Sequence, residues 1–413
     1  MRNKTKKEAV IKKRSEQTQL FSALEPDSLY VLSKFDTILQ NIKPLSSKQR
    51  GSLPRNIKKL SHQLTDERSS RRLSYMNQPS LLTAYTYYFQ WWNLVRLTHL
   101  FSGLAHNAFV SLKDGDYCLD LGSGPLTLPI ALWLARPELR EKSLAFYCVD
   151  ISPTSLSLGE EIFLSVVAQL NKRTNKSIAP WRIIRIKGTI ETRVQKPVSA
   201  VFCANLFNEL FWDSSKPLEQ DTKKYAAKIE RFAQKKALIV VVEPGIPRAA
   251  NFISLLRSNF LHNNYSIISP CPHTNTCPMP GNRGEKWCHF VLPTDNAPKN
   301  LLALSRAAGL LKNRATLSFV FVKPKPIKTD NAIDQAQSTQ KNNTKKFLRV
   351  VSDPVHIPGK GMGRYSCTAW GLALLMKPQN CFSGSLMPID INTNEFNKMP
   401  IDKKTGAKLL YLQ

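Results

Sequence analysis

An α/β fold built on a parallel sheet covered on both faces is predicted by three observations along the 413 residues. Short apolar runs alternate with longer amphipathic ones between Asp116 and Pro247, the pattern of strand followed by helix repeated along the chain. A glycine turn follows the first of these runs, and the second ends on an acid, Asp150. Helical sequence precedes this region and strand-like sequence follows it, so a helical N-terminal region and a β-rich C-terminal extension are expected around a Rossmann-like sheet.

Taken in order, the first 75 residues hold 17 Lys+Arg and 7 Asp+Glu, a net +10 by subtraction, with broken apolar periodicity between Leu20 and Leu39. A tail followed by loose helices is expected. No apolar run of signal-peptide length follows the basic start, and Glu8 and Glu16 are acids of the kind transit peptides avoid, so neither secretion nor import is expected. From Gln78 to Phe109 the apolar residues are dense (LLTAYTYYFQWWNLVRL) and predict helices packed on whatever follows, with the aromatics in the core and not in a base-stacking platform.

The sheet region reads YCLDLG, LTLPIALWLARPEL, LAFYCVD, SPTSLSLGEEIFLSVVAQL, WRIIRIKGT, VSAVFCAN, YAAKIERFAQ and ALIVVVEP. Beyond it come a Cys/Pro/Gly-rich loop from Cys271 to His289, a helix near Leu301 to Gly309 and a strand, TLSFVFVKP. The polar stretch KPKPIKTDNAIDQAQSTQKNNTKK lacks periodicity and predicts a mobile connector, after which FLRVVSDPV and CTAWGLALLM read as strands. The expected division is 1–77, a basic, partly disordered helical region; 78–322, the sheet domain with the cysteine loop at 271–289; 323–346, a linker; and 347–413, the β-rich extension.

With 59 Lys+Arg against 30 Asp+Glu the formal charge is +29, which favours polyanionic partners, nucleic acid foremost. The longest apolar stretches, such as Ala237 to Val242, fall far short of the roughly 20 residues that span a bilayer, so no membrane partner is expected. Eight cysteines are too few for a disulfide scaffold, and a clustered subset points to metal.

Asp120-Leu121-Gly122-Ser123-Gly124-Pro125 follows an apolar strand and opens a helix, where a nucleotide-like ligand meets the carboxyl edge of such a sheet. A side chain at either glycine would hold the ligand off the backbone. Asp150 closes the next strand, placed so that its carboxylate could accept hydrogen bonds from both ribose hydroxyls, and Ser152-Pro153 predicts an N-cap and first helical position. The bland alternative is a tight turn and a capping acid. Dinucleotide enzymes place a third glycine where Leu126 and Thr127 stand, so the D-x-G-x-G form resembles motif I of class I S-adenosylmethionine-dependent methyltransferases. Asp120, Gly122, Gly124 and Asp150, with Asn205 after the fourth strand, are the candidate cofactor-binding residues. Asn205-Leu206-Phe207 lacks the paired prolines of the loop N-methylating enzymes use, Cys203 reads as a buried thiol, and no catalytic base is visible.

Cys271, Cys277 and Cys288 fall within 18 residues too rich in Pro and Gly for regular structure. Their gaps are wider than the two to four residues favoured by zinc knuckles, and with a distant fourth thiolate, Cys367 or Cys381, they suit an iron–sulfur cluster. His273 and His289 keep a zinc site open, and a loop without metal is the third account. Cys118, Cys148 and Cys203 lie in apolar strands and read as core.

DLGSGP, ANLFNEL, VVEPG and above all CPHTNTCP followed by WCHF resemble the methyltransferase-like ribosomal small-subunit assembly family, which has mitochondrial and bacterial members, over about residues 80 to 380. The resemblance implies a class I methyltransferase fold joined to a four-cysteine 4Fe-4S cluster, in a protein that binds the maturing small subunit on its rRNA. By position it makes Cys271, Cys277 and Cys288 the loop ligands and Cys367 the fourth. The chain departs from the family at Leu126, where members often carry glycine, and at Gly359 to Arg364, where a basic run is usual. The expectation is an S-adenosylmethionine-dependent rRNA methyltransferase of small-subunit assembly, the alternative a non-catalytic iron–sulfur assembly factor. A cytoplasmic monomer is expected, with the mitochondrial matrix as the other compartment.

Overall fold

The computed structural model describes residues 18–65, 73–210, 217–233, 237–325, 346–377 and 380–411. Residues 1–17, at the start of the expected tail, and most of the expected connector lie outside them. The first helices are α1 (Pro26–Ser33), α2 (Phe35–Ile42) and α3 (Ser47–Thr65), and they are not loose. Val31, Leu32, Phe35, Ile38 and Leu39 form one apolar stripe, and with Leu53, Ile57 and Leu60 they are buried in the core that covers one sheet face. Basic residues between these positions dilute the pattern in the sequence without entering the stripe. Next come α4 (Pro79–Ala84), a π-helical turn at Tyr85–Gln90 and α5 (Trp91–Gly103), whose aromatics are core as expected. Trp91 Nε1 donates to the Leu32 carbonyl at 2.9 Å and ties α5 to α1.

The sheet domain follows as β1 (Tyr117–Leu121), α6 (Thr127–Ala135), α7 (Pro137–Arg140), β2 (Ala145–Asp150), α8 (Pro153–Thr174), β3 (Arg182–Lys187), β4 (Ala200–Ala204), α9 (Phe207–Leu210), α10 (Leu218–Ala233) and β5 (Leu238–Pro244). It closes with α11 (Pro247–His262), β6 (Tyr265–Ser269), β7 (Phe290–Pro293), α12 (Lys299–Ala307) and β8 (Arg314–Pro324). The strand order is β3-β2-β1-β4-β5-β8-β6, with β7 paired to β8. The first five strands are mutually parallel, while β8 runs antiparallel to β5, β6 and β7. The apolar runs are continuous because both faces are covered. Phe146, Cys148, Val240 and Val242 face the N-terminal helices and α8, whereas Tyr147, Val149, Ile239 and Val241 face α10 and α11. Strand order reverses between β1 and β4, so a crevice opens at their carboxyl ends.

The extension forms a second sheet from β9 (Lys346–Val350), β10 (Val355–Ile357), β11 (Gly361–Thr368), β12 (Gly371–Met376), β13 (Leu386–Ile389) and β14 (Lys408–Tyr411). Its order is β13-β9-β11-β12-β14, with β10 on β11. The two sheets are joined through the cysteine loop and β7: Arg349 Nε donates to the Pro270 carbonyl (2.9 Å), Ser352 N to the His289 carbonyl (3.0 Å), and Val291 N to Ser383 Oγ (3.0 Å). Thr18 and Leu386 exchange backbone hydrogen bonds at 3.1 and 2.8 Å, so the chain's early residues reach this sheet too. Among the described residues no helix is long and apolar enough to cross a membrane.

Because Phe35 is 1% exposed beneath α5, Phe35→Ala should cost about 3–5 kcal/mol of stability in a denaturant titration. A loss under about 1 kcal/mol would restore the loose helices read from the sequence.

Candidate functional site

The crevice is built around the turn after β1. Gly122 (φ 69°) and Gly124 (φ 51°) take left-handed conformations that glycine adopts without penalty. The amides of Gly122 and Ser123 both donate to the Val149 carbonyl, at 2.9 and 3.1 Å, and fasten the turn to β2. Asp150, at the end of β2, accepts from Gly124 N on Oδ2 and from Ser152 N on Oδ1, each at 2.9 Å. The expected Ser152 cap is present: its hydroxyl accepts from Ser155 N at 3.2 Å, with Pro153 in the first turn of α8. Gln90, at the end of the π-helical turn, donates to the Pro125 carbonyl at 2.7 Å.

Leu126 takes φ 55°, which explains why glycine suits this position; here the strain is offset by a fully buried side chain. Crowding at the turn is relieved from α8, where a Cβ on Gly159 would lie 2.5 Å from Pro125 C and 2.8 Å from Leu126 N. Sequence reading missed Gly159; its signal was a glycine inside an amphipathic helical segment.

Asp120, Gly122 and Asn205 line one narrow cleft with Tyr85, Asn93 and Ser123, of about 20 Å³, far below the ~300–1,000 Å³ of small-molecule sites. Gly124 and Asp150 join it through the hydrogen bond at the turn. Asp120 is buried, its Oδ2 without a hydrogen-bond partner among the described residues. Burial pushes its carboxyl up to about 8, the charge of Asp150 adds to the rise, and the Ser123 hydroxyl opposes it. Asp150 is also raised by burial, against the amides of Ser152, Gly124 and Ile151.

Asn205 takes φ 58° and is held by Arg96, which the sequence reading also missed. The buried Arg96 guanidinium donates from Nη1 to the Thr316 carbonyl (2.7 Å) and from Nη2 to Asn93 Oδ1 (2.8 Å) and Asn205 Oδ1 (2.9 Å). Burial lowers it to about 10, against the favourable charges of Glu243 and Tyr85. Glu243, fully buried at the end of β5, accepts from Phe207 N (2.9 Å) and Asn208 N (3.0 Å); burial pushes its carboxyl up to about 8, against these amides. Cys118, Cys148 and Cys203 are core thiols, as expected, each raised by burial.

The second candidate site is the cysteine loop. Cys271, Cys277 and Cys288 converge with Cys367 of β11 closely enough that Cys271 and Cys277 both raise the Cys367 thiol, and all three others raise Cys288, in each case after burial. Arg257 Nε donates to Cys271 Sγ at 3.1 Å, and His273 Nε2 lies 3.1 Å from Cys367 Sγ. Cys381 lies elsewhere, its thiol 3.7 Å from Met387 Sδ within the separate apolar cluster of the second sheet. Of the two candidates for a fourth thiol, Cys367 is therefore the one beside the loop. Among the described residues, however, no three Cys, His, Asp or Glu side chains are arranged to hold a metal ion, so the expected iron–sulfur or zinc site has no ligating geometry here.

The doubly wound sheet, its glycine turn and the acid closing β2 make this a class I methyltransferase fold. A family described as "Mitochondrial small ribosomal subunit Rsm22" matches residues 114–309. No curated protein matches the sequence. Solved structures similar to the chain include a candidate class I S-adenosylmethionine-dependent methyltransferase from Listeria monocytogenes (13% identity, TM-score 0.31, 73% of this chain and 88% of that one). Another is an S-adenosylmethionine-dependent methyltransferase from Geobacter sulfurreducens in complex with S-adenosyl-L-homocysteine (11% identity, TM-score 0.30, 62% and 95%).

Gly159→Ala should push α8 off the turn and cost about 1–3 kcal/mol in a denaturant titration, with no loss if the turn can yield. The raised Asp120 sets a pH dependence. The unfolded carboxyl ionises near 3.8 and the folded one near 8, so the stability carried by the neutral buried acid is full below the first value and lost as pH rises to the second. Asp120→Asn should therefore flatten the fall in stability across that window and raise Tm at its upper end. Thermal melts of both proteins at several pH values measure this, and parallel curves would mean that Asp120 is ionised in the folded protein.

Proposed function

We propose that the chain is an S-adenosylmethionine-dependent, methyltransferase-like protein that acts on the rRNA of the small ribosomal subunit. The observation that carries the cofactor is the cleft at the strand-order reversal, where a glycine turn, Asp150 and the unpartnered oxygen of Asp120 meet. The chemistry of these residues suits a nucleoside, which the cleft must widen to admit. Asp150 keeps lone pairs beyond its two amide bonds for ribose hydroxyls, Gly122 and Gly124 admit close approach to the backbone, and the neutral Asp120 can donate as well as accept. S-adenosylmethionine supplies an electrophilic methyl group when bound.

The subunit and its rRNA are supported by the family match over 114–309 and by the +29 charge. The family's description favours the mitochondrial matrix over the cytoplasm. A second reading, a non-catalytic assembly factor, is favoured by one observation: the Glu243 carboxyl at the end of β5 is turned inward onto two amides and does not stand ready as a base.

The reading includes a 4Fe-4S cluster on Cys271, Cys277, Cys288 and Cys367, with zinc as the alternative; its support is the convergence of these four thiols beside two arginines. Raised thiols ionise once a cation compensates them, so binding would release protons.

Calorimetry with S-adenosylmethionine tests the cofactor: Asp150→Ala should bind about ten- to a hundredfold more weakly, and a wild type that binds none would leave the assembly factor standing. For the metal, anaerobically prepared protein should carry roughly four irons per chain. Cys367→Ser should lose iron and Cys381→Ser should keep it. Stoichiometric zinc without iron would replace the cluster.

A further inference from the structure

One groove on the described surface is remote from both sites. It encloses about 650 Å³ at the amino ends of β1, β2 and β3, among Tyr117, Arg140, Glu141, Lys142, Lys176 and Arg182. We propose that this groove binds a single-stranded segment of RNA, packing its bases on the Tyr117–Arg182 pair and its phosphates against Lys176 and Lys142. The inference rests on the RNA partner proposed above and assigns it a surface.

Of the fourteen residues that line it four are cationic and one, Glu141, is acidic, so the groove is electropositive. Arg140 is committed inward, to the carbonyls of Trp133 and Leu134 and to Ser28 Oγ, and serves as wall. Lys142 donates one bond to the Leu112 carbonyl, which leaves further ammonium protons for a ligand. Lys176 and Arg182 are exposed. The nearby acids Asp114 and Asp116 are turned to backbone amides, those of Ser143 and Lys113, each at 2.8 Å.

The aromatic part is ordered without a ligand. Tyr117 stacks on the buried Tyr147 with centroids 5.3 Å apart and planes at 23°. The Arg182 guanidinium lies 5.4 Å from the Tyr117 centroid and donates to its hydroxyl at 2.5 Å. A tyrosine and a planar guanidinium held together are a platform on which unpaired bases stack, sequence-tolerantly, while duplex bases cannot reach it. The site lies at the other end of the strands that carry the cofactor cleft. At ~3.3 Å per residue their five to six residues separate the two by roughly 17–20 Å, so the groove anchors RNA without touching the cleft.

The test is fluorescence anisotropy of the full chain with a labelled single-stranded oligoribonucleotide across a salt series. Combining Arg182→Ala with Lys176→Ala should weaken binding about tenfold and reduce the salt slope by about 0.7 for each phosphate left without its cation, with S-adenosylhomocysteine binding unchanged. Tyr117→Ala should weaken it by a similar factor and Tyr117→Phe hardly at all, which separates stacking from misfolding. Wild-type affinity and slope in the double variant would overturn the groove while leaving RNA binding intact. A wild type that binds no RNA would instead remove the proposed function. If the double variant lost binding to polyglutamate but kept RNA, the groove would belong to an acidic peptide.

Discussion

The carboxylate of Asp150 bridging Gly124 N and Ser152 N is the bond on which the cleft depends. It joins the left-handed glycine turn to the start of α8 in one group, and the helix terminus beside it favours negative charge there. Burial acts the other way on both acids of the cleft. Asp150 has three opposing backbone amides, whereas Asp120 has chiefly a serine hydroxyl, so Asp120 is the acid that burial neutralises. Two carboxyls at one edge are thus both raised by burial and differently opposed by their hydrogen bonds, the arrangement that suits the less opposed one, Asp120, to donate.

Across the strand reversal the same edge is held by a cation. Arg96 draws together α5, the loop after β4 and β8, elements separated by up to 220 residues in sequence. Glu243 fixes the first amides of the Phe207–Leu210 helix, and its charge favours the buried guanidinium. Removing Arg96 would leave the Thr316 carbonyl and the side chains of Asn93 and Asn205 without this donor, and removing Glu243 would leave two buried amides without their acceptor. This is why the N-terminal helices cannot be peripheral: α5 carries Arg96 behind the cleft wall, and its first residue, Trp91, is packed on Leu32 of α1 and Phe35 of α2.

Much of this was legible in the sequence. Continuous runs such as LIVVVEP announced strands covered on both faces, and the glycine turn, Asp150 and the Ser152 cap were found from local chemistry alone. What the sequence hid was long-range. An arginine inside WWNLVRL reads as a solvated interruption until Thr316 and Asn205 supply its acceptors, and the antiparallel insertion of β8 depends on packing that no local period encodes. The N-terminal helices were misread for a related reason: basic residues obscured a stripe whose partner, Trp91, lies some sixty residues on. Nothing in the spacing of the cysteines distinguishes convergence from ligation, and the structure has the first without the second.

The cysteine loop lacks helix and strand, so its carbonyls need partners from elsewhere, and they find them in side chains. Arg257 of α11 donates to the carbonyls of His273 and Asn275 at 2.9 Å, Asn251 to that of Pro280 at 3.0 Å, Ser318 of β8 to that of Cys288 at 2.7 Å, and Arg349 of β9 to that of Pro270 at 2.9 Å. Trp287 in turn donates to the Gly245 carbonyl at 3.1 Å. The loop is thus fixed to α11, to the first sheet and to the second by bonds that involve no thiol. Arg257 and Arg349 have a second effect: both are buried, and each pulls the Cys271 thiol down against the burial that still holds it above its ordinary value. The same two arginines therefore order the loop and favour ionisation of the thiols, without outweighing burial. A metal held there would add to a join between the sheets that side-chain hydrogen bonds already make.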